Sequence, residues 1–321
     1  MPTILIIVAA LTFAVPAFGA EAQAYPQKPI RIIVPFPPGG PSDMLARLIG
    51  AKLAEAWGQA IVVDNRGGAS GIIGIELAAK ADPDGYTLIV VSAGLAVQPS
   101  LYRKLPYDPV RDFAPITRIV SGPGIMVVNP SLPVRSVAEL IAYARSRPGK
   151  VFYGTAGNGT PSHLAVELLK VMTQVDIVHV PYRGMAPAMT DVVAGQLQLS
   201  IPTMPAGLPL AKAGKLRALA VTGAQRSPAA PELPTVAEAG VPGYQASNWY
   251  GIAAPAKTPR AIIARLNQEF SRILAAPDVR EKLLGVGMEP ATNTPEQFAD
   301  FMKSEIGKWA RVVKIAGIRV D

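Results

Sequence analysis

The chain lacks cysteine and has only two histidines, His163 and His179. Without cysteine, the protein can form no disulfide, no thiolate nucleophile and no zinc–sulfur site. Two histidines are too few for a multi-histidine metal site, and no group of acidic residues has the spacing of metal ligands. The sequence therefore predicts neither a metal nor another cofactor.

Charged residues are also scarce, at 17% of the 321 residues, whereas hydrophobic residues make up 50%. This balance is typical of well-packed globular proteins, and the length is sufficient for two compact domains. The formal net charge is +8, but no five or six basic residues follow one another. The basic residues are spread along the chain, so we expect a solvated surface and no nucleic-acid partner.

Only one long apolar run is present, at residues 3–18. Small residues follow it, and residues 20–24 (AEAQA) contain two overlapping patterns of the kind at which a signal peptide is cleaved. We interpret residues 1–24 as a secretory signal peptide and expect a periplasmic protein that begins near Tyr25. No Lys or Arg precedes the run, which departs from the signal-peptide pattern, and a membrane anchor is the alternative.

Beyond this segment, short β-branched runs alternate with amphipathic stretches. The alternation predicts an α/β fold with largely parallel sheets. Two longer helix patterns close the chain, and each opens with Thr followed by Pro, which predicts Thr258 and Thr294 as N-caps. No linker rich in Ser and Gly divides the chain, so we place short crossings between two domains near residues 119–124 and 243–251.

Three Gly-rich loops join a strand pattern to a helix pattern. They are residues 34–43 (VPFPPGGPSD), 65–74 (NRGGASGIIG) and 153–169 (YGTAGNGTPSHLAVELL). Glycines let the backbone approach a ligand, and the positive end of a helix attracts an anion. Because open α/β sheets bind ligands at the carboxyl ends of their strands, the loops predict one shared anion-binding cleft between the domains. A purely structural turn is the alternative for the first loop.

Single residues in these loops have specific expected roles. Pro41 suits the first position of a helix, and the Asp43 carboxylate is placed to accept hydrogen bonds from exposed amides. His163 lies in the first turn of a predicted helix, where it can donate to a carboxylate. The alternative is a histidine that caps its own loop. His179 lies within a strand pattern and is expected to be structural.

The common catalytic motifs are absent. The glycine spacing in GTAGNG is not that of the dinucleotide fingerprint, and no phosphate-binding G-x-x-x-x-G-K-[ST] loop occurs. Ser162 and His163 are neighbours on a predicted helix, so they cannot face each other as nucleophile and base. The sequence therefore predicts ligand binding without turnover and no catalytic residue.

A series of motifs resembles one known family. YPQKPIRIIVPFPPGGPSDMLAR, VVDNRGGASGIIG, HVPYRGMAPAMTDVVAGQ and WYGIAAPAKTP follow one another in order. From about Tyr25 to the C-terminus, the chain resembles the Bug family, the extracytoplasmic solute receptors of tripartite tricarboxylate transporters. The resemblance implies a type II periplasmic-binding-protein fold, with two α/β lobes joined by hinge strands and a ligand cleft between them. With the crossings placed above, residues 25–122 and 247–321 form lobe 1 and residues 123–246 form lobe 2.

The resemblance also implies a ligand and its binding residues. The ligand is a small organic carboxylate, either a di- or tricarboxylate or an aromatic acid, and the partners are the membrane subunits of a tripartite tricarboxylate transporter. We expect the receptor to be a monomer. The implied ligand-binding residues of lobe 1 are Phe36, Gly39, Gly40, Ser42, Asp43, Ala69, Ser70 and Ser92. Those of lobe 2 are Thr155, Gly157, Thr160 and His163.

One departure from the family pattern narrows the ligand. Many members carry an acidic residue near the positions of Gln198 and Pro202, where this chain has none. Recognition of a ligand amino group is therefore less expected, which favours a non-amino organic acid. Met204, Trp249 and Tyr250 are candidates for contact with an apolar or aromatic ligand body, with a structural role as the alternative for Trp249.

Two other functions stay open on the sequence. A co-receptor that senses the ligand and signals to a membrane partner needs the same closed state as a transport receptor. An enzyme that acts on a small carboxylic acid through His163 needs a nucleophile–base pair, which the sequence does not show.

Overall fold

The computed structural model describes residues 25–317, so the predicted signal peptide at residues 1–24 lies outside the described residues. The strands are β1 (Ile30–Val34), β2 (Ile61–Asn65), β3 (Thr87–Ser92), β4 (Phe113–Pro123), β5 (Ile125–Val128), β6 (Phe152–Thr155), β7 (Val178–Pro181), β8 (Leu199–Ser200), β9 (Arg217–Val221), β10 (Ser247–Pro255) and β11 (Glu289–Pro290). The helices are α1 (Pro41–Trp57), α2 (Ile72–Ala79), α3 (Ala93–Leu101), α4 (Val137–Arg145), α5 (Pro161–Thr173), α6 (Met185–Val193), α7 (Met204–Lys212), α8 (Arg260–Ala275), α9 (Pro277–Gly285) and α10 (Pro295–Ala316).

The strands form two separate sheets. One has the order β11-β4-β10-β3-β1-β2, and the other has the order β7-β6-β8-β5-β9. The chain leaves the first sheet after Pro123 and returns to it at Ser247, within the two stretches where the sequence predicts the crossings. The predicted α/β fold with two lobes is confirmed. We call the first sheet with α1–α3 and α8–α10 lobe 1, and the second sheet with α4–α7 lobe 2.

Parallel strands form one side of each sheet. β1 pairs in parallel with β2 and β3, and β6 pairs in parallel with β7 and β8. Four of the five residues of β1 are fully buried, as expected for a strand covered by helices on both faces. Loops that follow these strands therefore emerge at one edge of each sheet.

Two long strands connect the lobes, and neither is a continuous apolar run in the sequence. β4 and β10 pair in antiparallel fashion from Phe113 opposite Pro255 to Pro123 opposite Ser247. Arg118 and the prolines interrupt the apolar pattern of β4, so it has no continuous β-branched run. Both strands end at the crossing between the lobes, which makes them the hinge strands.

Each lobe has its own apolar core, and one helix of lobe 2 reaches the core of lobe 1. Leu164 on α5 is fully buried in a cluster that contains Leu101 and Trp309 of lobe 1. The lobes are thus in contact beside the cleft. None of the helices in the described part of the chain combines the length and the apolarity needed to cross a bilayer.

The predicted helix caps have different outcomes. Thr294 is the N-cap of α10 and forms a capping box with Gln297, as predicted. The prediction for Thr258 is wrong, because Pro259 is the N-cap of α8 and the Thr258 hydroxyl donates to the carbonyl of Pro255 at 2.7 Å.

Candidate functional site

A cavity with an empty volume of about 700 Å³ lies between the lobes. Lobe 1 lines it with Phe36, Pro37, Pro38, Gly40, Pro41, Ser42, Ser92 and Tyr250. Lobe 2 lines it with Ala156, Thr160, Pro161, Ser162, Arg183, Gly184, Met185, Ala186, Pro187 and Thr203. Residues of both lobes therefore form the wall of the cavity.

Five helices begin at this cavity. Their N-cap residues Gly40, Ser92, Thr160, Gly184 and Thr203 all belong to the lining. No side chain caps any of the five helices. Because first-turn amides have no partner within a helix, and the N-terminus carries the positive end of the helix dipole, the cavity wall is built to receive an anion.

Arg183 is the one residue of the cavity lining with a formal charge. It is exposed, and no other residue in the described part of the chain forms an ion pair or a hydrogen bond with it. Most of the remaining lining is apolar. The charge of the cavity is therefore positive, and its cationic group is available to a ligand.

The loop after β1 is held in place from behind. The Gly39 amide donates to the Asp43 carboxylate at 3.0 Å, and Arg47 donates to the same carboxylate at 3.0 Å. Asn65 donates to the carbonyl of Phe36 at 3.1 Å. Burial raises the pKa of Asp43, but the hydrogen bonds from Arg47 and Gly39 outweigh it and hold the pKa below its ordinary value. Asp43 thus accepts a hydrogen bond from a main-chain amide of the loop and holds the loop in place, as its position in the sequence predicts.

A second cavity adjoins the first and shares Arg183 with it. Ala69, Ser70 and Gly157 line it. Ala69 and Ser70 have φ values of 47° and 54°, a left-handed conformation that is uncommon for residues with a side chain. Gln98 supports this turn, because its side chain donates to the Ser70 carbonyl at 3.1 Å.

Thr155 and His163 lie behind the loop that follows β6, away from the cavity lining. The Thr155 hydroxyl is 2.6 Å from Nε2 of His179, and the Gly157 amide donates to that hydroxyl at 3.2 Å. His163 accepts a hydrogen bond through Nδ1 from the Gly159 amide at 3.1 Å. His163 therefore caps its own loop, which is the alternative that the sequence left open, and it does not belong to the lining of the cavity.

The two histidine rings are stacked in the interior of lobe 2, with centroids 4.1 Å apart. Burial is the main cause that lowers the pKa of His163 to about 4 and of His179 to about 3. Both rings are neutral at pH 7. They fix the loop between Gly157 and Thr160 and add no charge to the site.

The twelve predicted binding residues thus separate by position. Five line the main cavity: Phe36, Gly40, Ser42, Ser92 and Thr160. Three line the adjoining cavity: Ala69, Ser70 and Gly157. The other four, Gly39, Asp43, Thr155 and His163, take part in the hydrogen bonds that hold the loops.

The three candidates for contact with the ligand body also differ. Tyr250 lines the cavity. Met204 is fully buried, and Trp249 is buried against Phe298 and donates to Glu305 at 3.0 Å. Trp249 therefore has the structural role that was its alternative.

Arg183, Gly184 and Thr203 are among the residues of the lining that were not predicted from the sequence. Each lies where a strand is followed by a helix with a proline in its first turn, namely Pro187 in α6 and Pro205 in α7. The same signature drew attention to Pro41 and Pro161. Applied to every strand–helix junction, it would have found these residues as well.

Comparison with known proteins agrees with this geometry. Residues 45–318 match the model of the tripartite tricarboxylate transporter family receptor. The chain is 39% identical to Protein BugT of Bordetella pertussis, over 95% of this chain and 94% of that protein. A structure of R. palustris Rpa4515 with adipate has a TM-score of 0.90 and 44% identity, over 92% of this chain and all of that chain. MatC from Rhodopseudomonas palustris with bound malate has a TM-score of 0.86 and 34% identity, over 90% of this chain and all of that chain. The chain belongs to the Bug family of tripartite tricarboxylate transporter receptors, whose fold is that of solute-binding proteins.

Proposed function

We propose that this receptor binds a small organic carboxylate between its lobes in the periplasm and presents it to the membrane subunits of its transporter. The observation that carries the proposal is the convergence of five uncapped helix N-termini on a cavity whose single formal charge is that of Arg183. Main-chain amides and a guanidinium are suitable donors for a carboxylate. The acids present in the structures of Rpa4515 and MatC support the same class of ligand.

The position and the energy of the site fit a small acid. The cavity lies between two lobes and is lined by both, which is where small-molecule sites commonly occur. Three or four charge-assisted hydrogen bonds of about 1.5–3 kcal/mol each contribute roughly 5–12 kcal/mol before the costs of ordering. A micromolar complex needs roughly 8 kcal/mol, so apolar burial adds useful binding energy. Phe36, Met185 and Pro187 supply apolar surface for that purpose.

Ligand capture without chemistry is part of the proposal. Ser162 lines the cavity, but its hydroxyl is 3.0 Å from the Thr160 hydroxyl and accepts from the Ala156 amide at 3.2 Å. The described residues that line the cavity include no imidazole and no carboxylate. Ser162 therefore has no general base in the lining that could activate it as a nucleophile. An acid recovered unchanged after long incubation supports this, and conversion that is lost in Ser162→Ala contradicts it.

A thermal-shift panel tests the class of ligand. We expect adipate, malate or benzoate to raise the melting temperature in a concentration-dependent way, because a ligand that binds only the folded state stabilises it. Adipamide and putrescine have neutral or cationic ends and are expected to have no effect. Stabilisation by putrescine or by a neutral sugar, and by none of the acids, contradicts the proposal. The monomeric state and the location in the periplasm stay predictions, to be checked by light scattering and by cell fractionation.

A further inference from the structure

The loop after β2 contains a turn of four consecutive residues with positive φ. Gly68, Ala69, Ser70 and Gly71 have φ values of 129°, 47°, 54° and 93°. Two of the four carry side chains, for which this conformation is unfavourable, whereas glycine adopts it freely. Strained backbone of this kind persists only where the surrounding structure holds it, and it is concentrated at functional sites.

A buried amide side chain holds this turn from behind. Gln98 of α3 is 2% exposed, and its Nε2 donates to the Ser70 carbonyl at 3.1 Å. Oε1 of the same amide accepts a hydrogen bond from the Tyr107 hydroxyl. Because the carbonyl needs a donor and the phenol supplies one, the two bonds together fix which end of the Gln98 amide faces the turn.

Tyr107 is fixed in turn by the core of lobe 1. It is 6% exposed, and its ring meets the Phe113 ring edge-on, with centroids 6.3 Å apart. Phe113 is the first residue of the hinge strand β4. Buried polar groups that are fully paired rigidify the structure around them. Tyr107 and Gln98 therefore anchor the strained turn to the body of lobe 1.

The front of the turn meets the cavity wall and the other lobe. A Cβ atom at Gly157 of lobe 2 would lie only 2.9 Å from Oγ of Ser70. A Cβ atom at Gly71 would lie 3.5 Å from Cζ of Phe36, which lines the main cavity. The turn thus packs between Phe36 and the loop that follows β6. Gln98 belongs to the lining of neither cavity, so its influence on a ligand passes through the turn.

We propose that Gln98 is a positioning residue for ligand binding. Its side chain, oriented by Tyr107, holds the Ala69–Ser70 turn in the conformation in which Ser70 meets Gly157 of lobe 2. The inference rests on the proposed function and adds to it a residue that acts without touching the ligand. When the Gln98 amide is removed, the turn relaxes out of the left-handed conformation and Ser70 withdraws from lobe 2. The two lobes then hold the ligand less tightly.

Relief of strain at Ala69 provides the decisive test. Gln98→Met keeps the length of the side chain but removes both of its hydrogen bonds. Titration calorimetry with adipate, malate and benzoate is expected to show about five- to tenfold weaker binding of the acid that binds most tightly. In a chain that also carries Ala69→Gly, Gln98→Met is expected to weaken binding less than about twofold, because glycine adopts positive φ without the strain that Gln98 offsets.

A milder variant tests the same chain of contacts. Tyr107→Phe removes the bond that orients Gln98 and is expected to weaken binding about threefold. Tyr25→Phe is its matched control in lobe 1, because the buried Tyr25 hydroxyl donates to the Gly85 carbonyl at 2.6 Å, before β3 and away from the cleft. This control is expected to keep the affinity of the natural protein.

The outcomes separate a positioning role from a purely structural one. A structural role in the core lowers the melting temperature of Gln98→Met and Tyr107→Phe while affinity stays unchanged, and this result overturns the inference. An equal loss of affinity on Gln98→Met with and without Ala69→Gly also overturns it. Both results leave the carboxylate receptor intact, whereas binding of no acid by the natural protein overturns the proposed function itself.

Discussion

Helix N-termini at the cavity and helix N-termini elsewhere use the same residue types in different ways. Ser136 and Thr294, which are remote from the cavity, accept hydrogen bonds from first-turn amides at 3.1 and 3.2 Å. Ser92, Thr160 and Thr203 occupy the same N-cap position at the cavity and form no such bond. The remote helices α4 and α10 are completed by their own side chains, whereas the cavity helices leave their first-turn amides for a ligand.

Acidic residues follow the same division. The remote helices α4 and α10 have Glu139 and Glu296 in their first turns, where a negative charge stabilises the helix. The first turns of α3, α5, α6 and α7 contain no acid. Asp43 in α1 is the exception, and its charge is compensated by Arg47. An Asp or Glu side chain in these first turns would compete with an anionic ligand. The cavity helices therefore depend on the negative charge of the ligand to stabilise their N-termini.

The largest expected effect comes from giving a cavity helix its own acid. Ala186 is exposed at the second position of α6 and lines the cavity. We expect Ala186→Asp to weaken binding of a carboxylate at least a hundredfold, because two like charges about 4–5 Å apart repel by roughly 3–4 kcal/mol at an intermediate dielectric constant. Titration calorimetry measures the loss.

The control is Ala186→Asn, which has nearly the same shape without the charge and is expected to keep the affinity within a few fold. The unliganded Asp variant is expected to be at least as stable as the natural protein, since the new charge lies at a helix N-terminus. If both variants bind equally well, helix N-termini and ligand charge are not coupled in this cavity.

The stability of the loop behind the cavity is expected to depend on pH. His163 and His179 have pKa values of about 4 and 3, against about 6.5 in an unfolded chain. Below pH 6.5 the unfolded chain takes up protons that the folded chain refuses, so the free energy of unfolding falls as the pH falls from 6.5 to about 4. The slope approaches about 1.4 kcal/mol per pH unit for each histidine.

Denaturant unfolding at pH 4.5–7 measures this slope. His179→Gln removes one of the two titrating groups. It is therefore expected to reduce the slope by up to about 1.4 kcal/mol per pH unit. An identical slope in the variant would show that carboxylates elsewhere dominate the acid lability.

Removal of the cavity cation is expected to have a smaller effect than the introduced acid. Arg183→Ala is expected to weaken carboxylate binding about tenfold, through the loss of one charge-assisted contact. The melting temperature of the free protein is expected to stay the same, because Arg183 is exposed and has no partner among the described residues. Arg260→Ala, an exposed arginine outside the cavity lining, is the matched control and is expected to bind normally. Equal affinity in both variants would show that Arg183 does not contact the carboxylate.

A remote cap is expected to show the reverse pattern. Thr294→Ala removes the capping box of α10 and is expected to lower the free energy of unfolding by about 1 kcal/mol. Ligand affinity is expected to stay within twofold. Chemical denaturation and calorimetry on the same sample separate the two effects, and a large loss of affinity would show that the remote helix ends also control the cavity.

The sequence predicted the elements that depend on local pattern. The short β-branched runs form strands because each is a continuous apolar run, whereas β4 and β10 lack such a run and are stabilised by pairing with each other. Helix α3 has no amphipathic pattern in the sequence, because Pro99 lies within it and it is buried nearly throughout.

Side-chain direction was the part of the site that the sequence could not supply. Ser162 and His163 are neighbours in the same first turn, yet Ser162 lines the cavity and the His163 ring packs on His179 inside the lobe. The sequence places both residues in the first turn of α5, after the loop that follows β6. Which of the two side chains faces the cavity depends on how β6 packs against α5 and β7.

The most direct test of an anion held by uncapped helix N-termini is a crystal structure with the acid that binds most tightly. The account predicts a carboxylate oxygen within about 2.7–3.2 Å of first-turn amides at Gly40–Ser42, Thr160–Ser162 or Gly184–Ala186, with protein groups of both lobes around it. An acid bound outside the cavity, or held within it without any of these amides, would contradict the account.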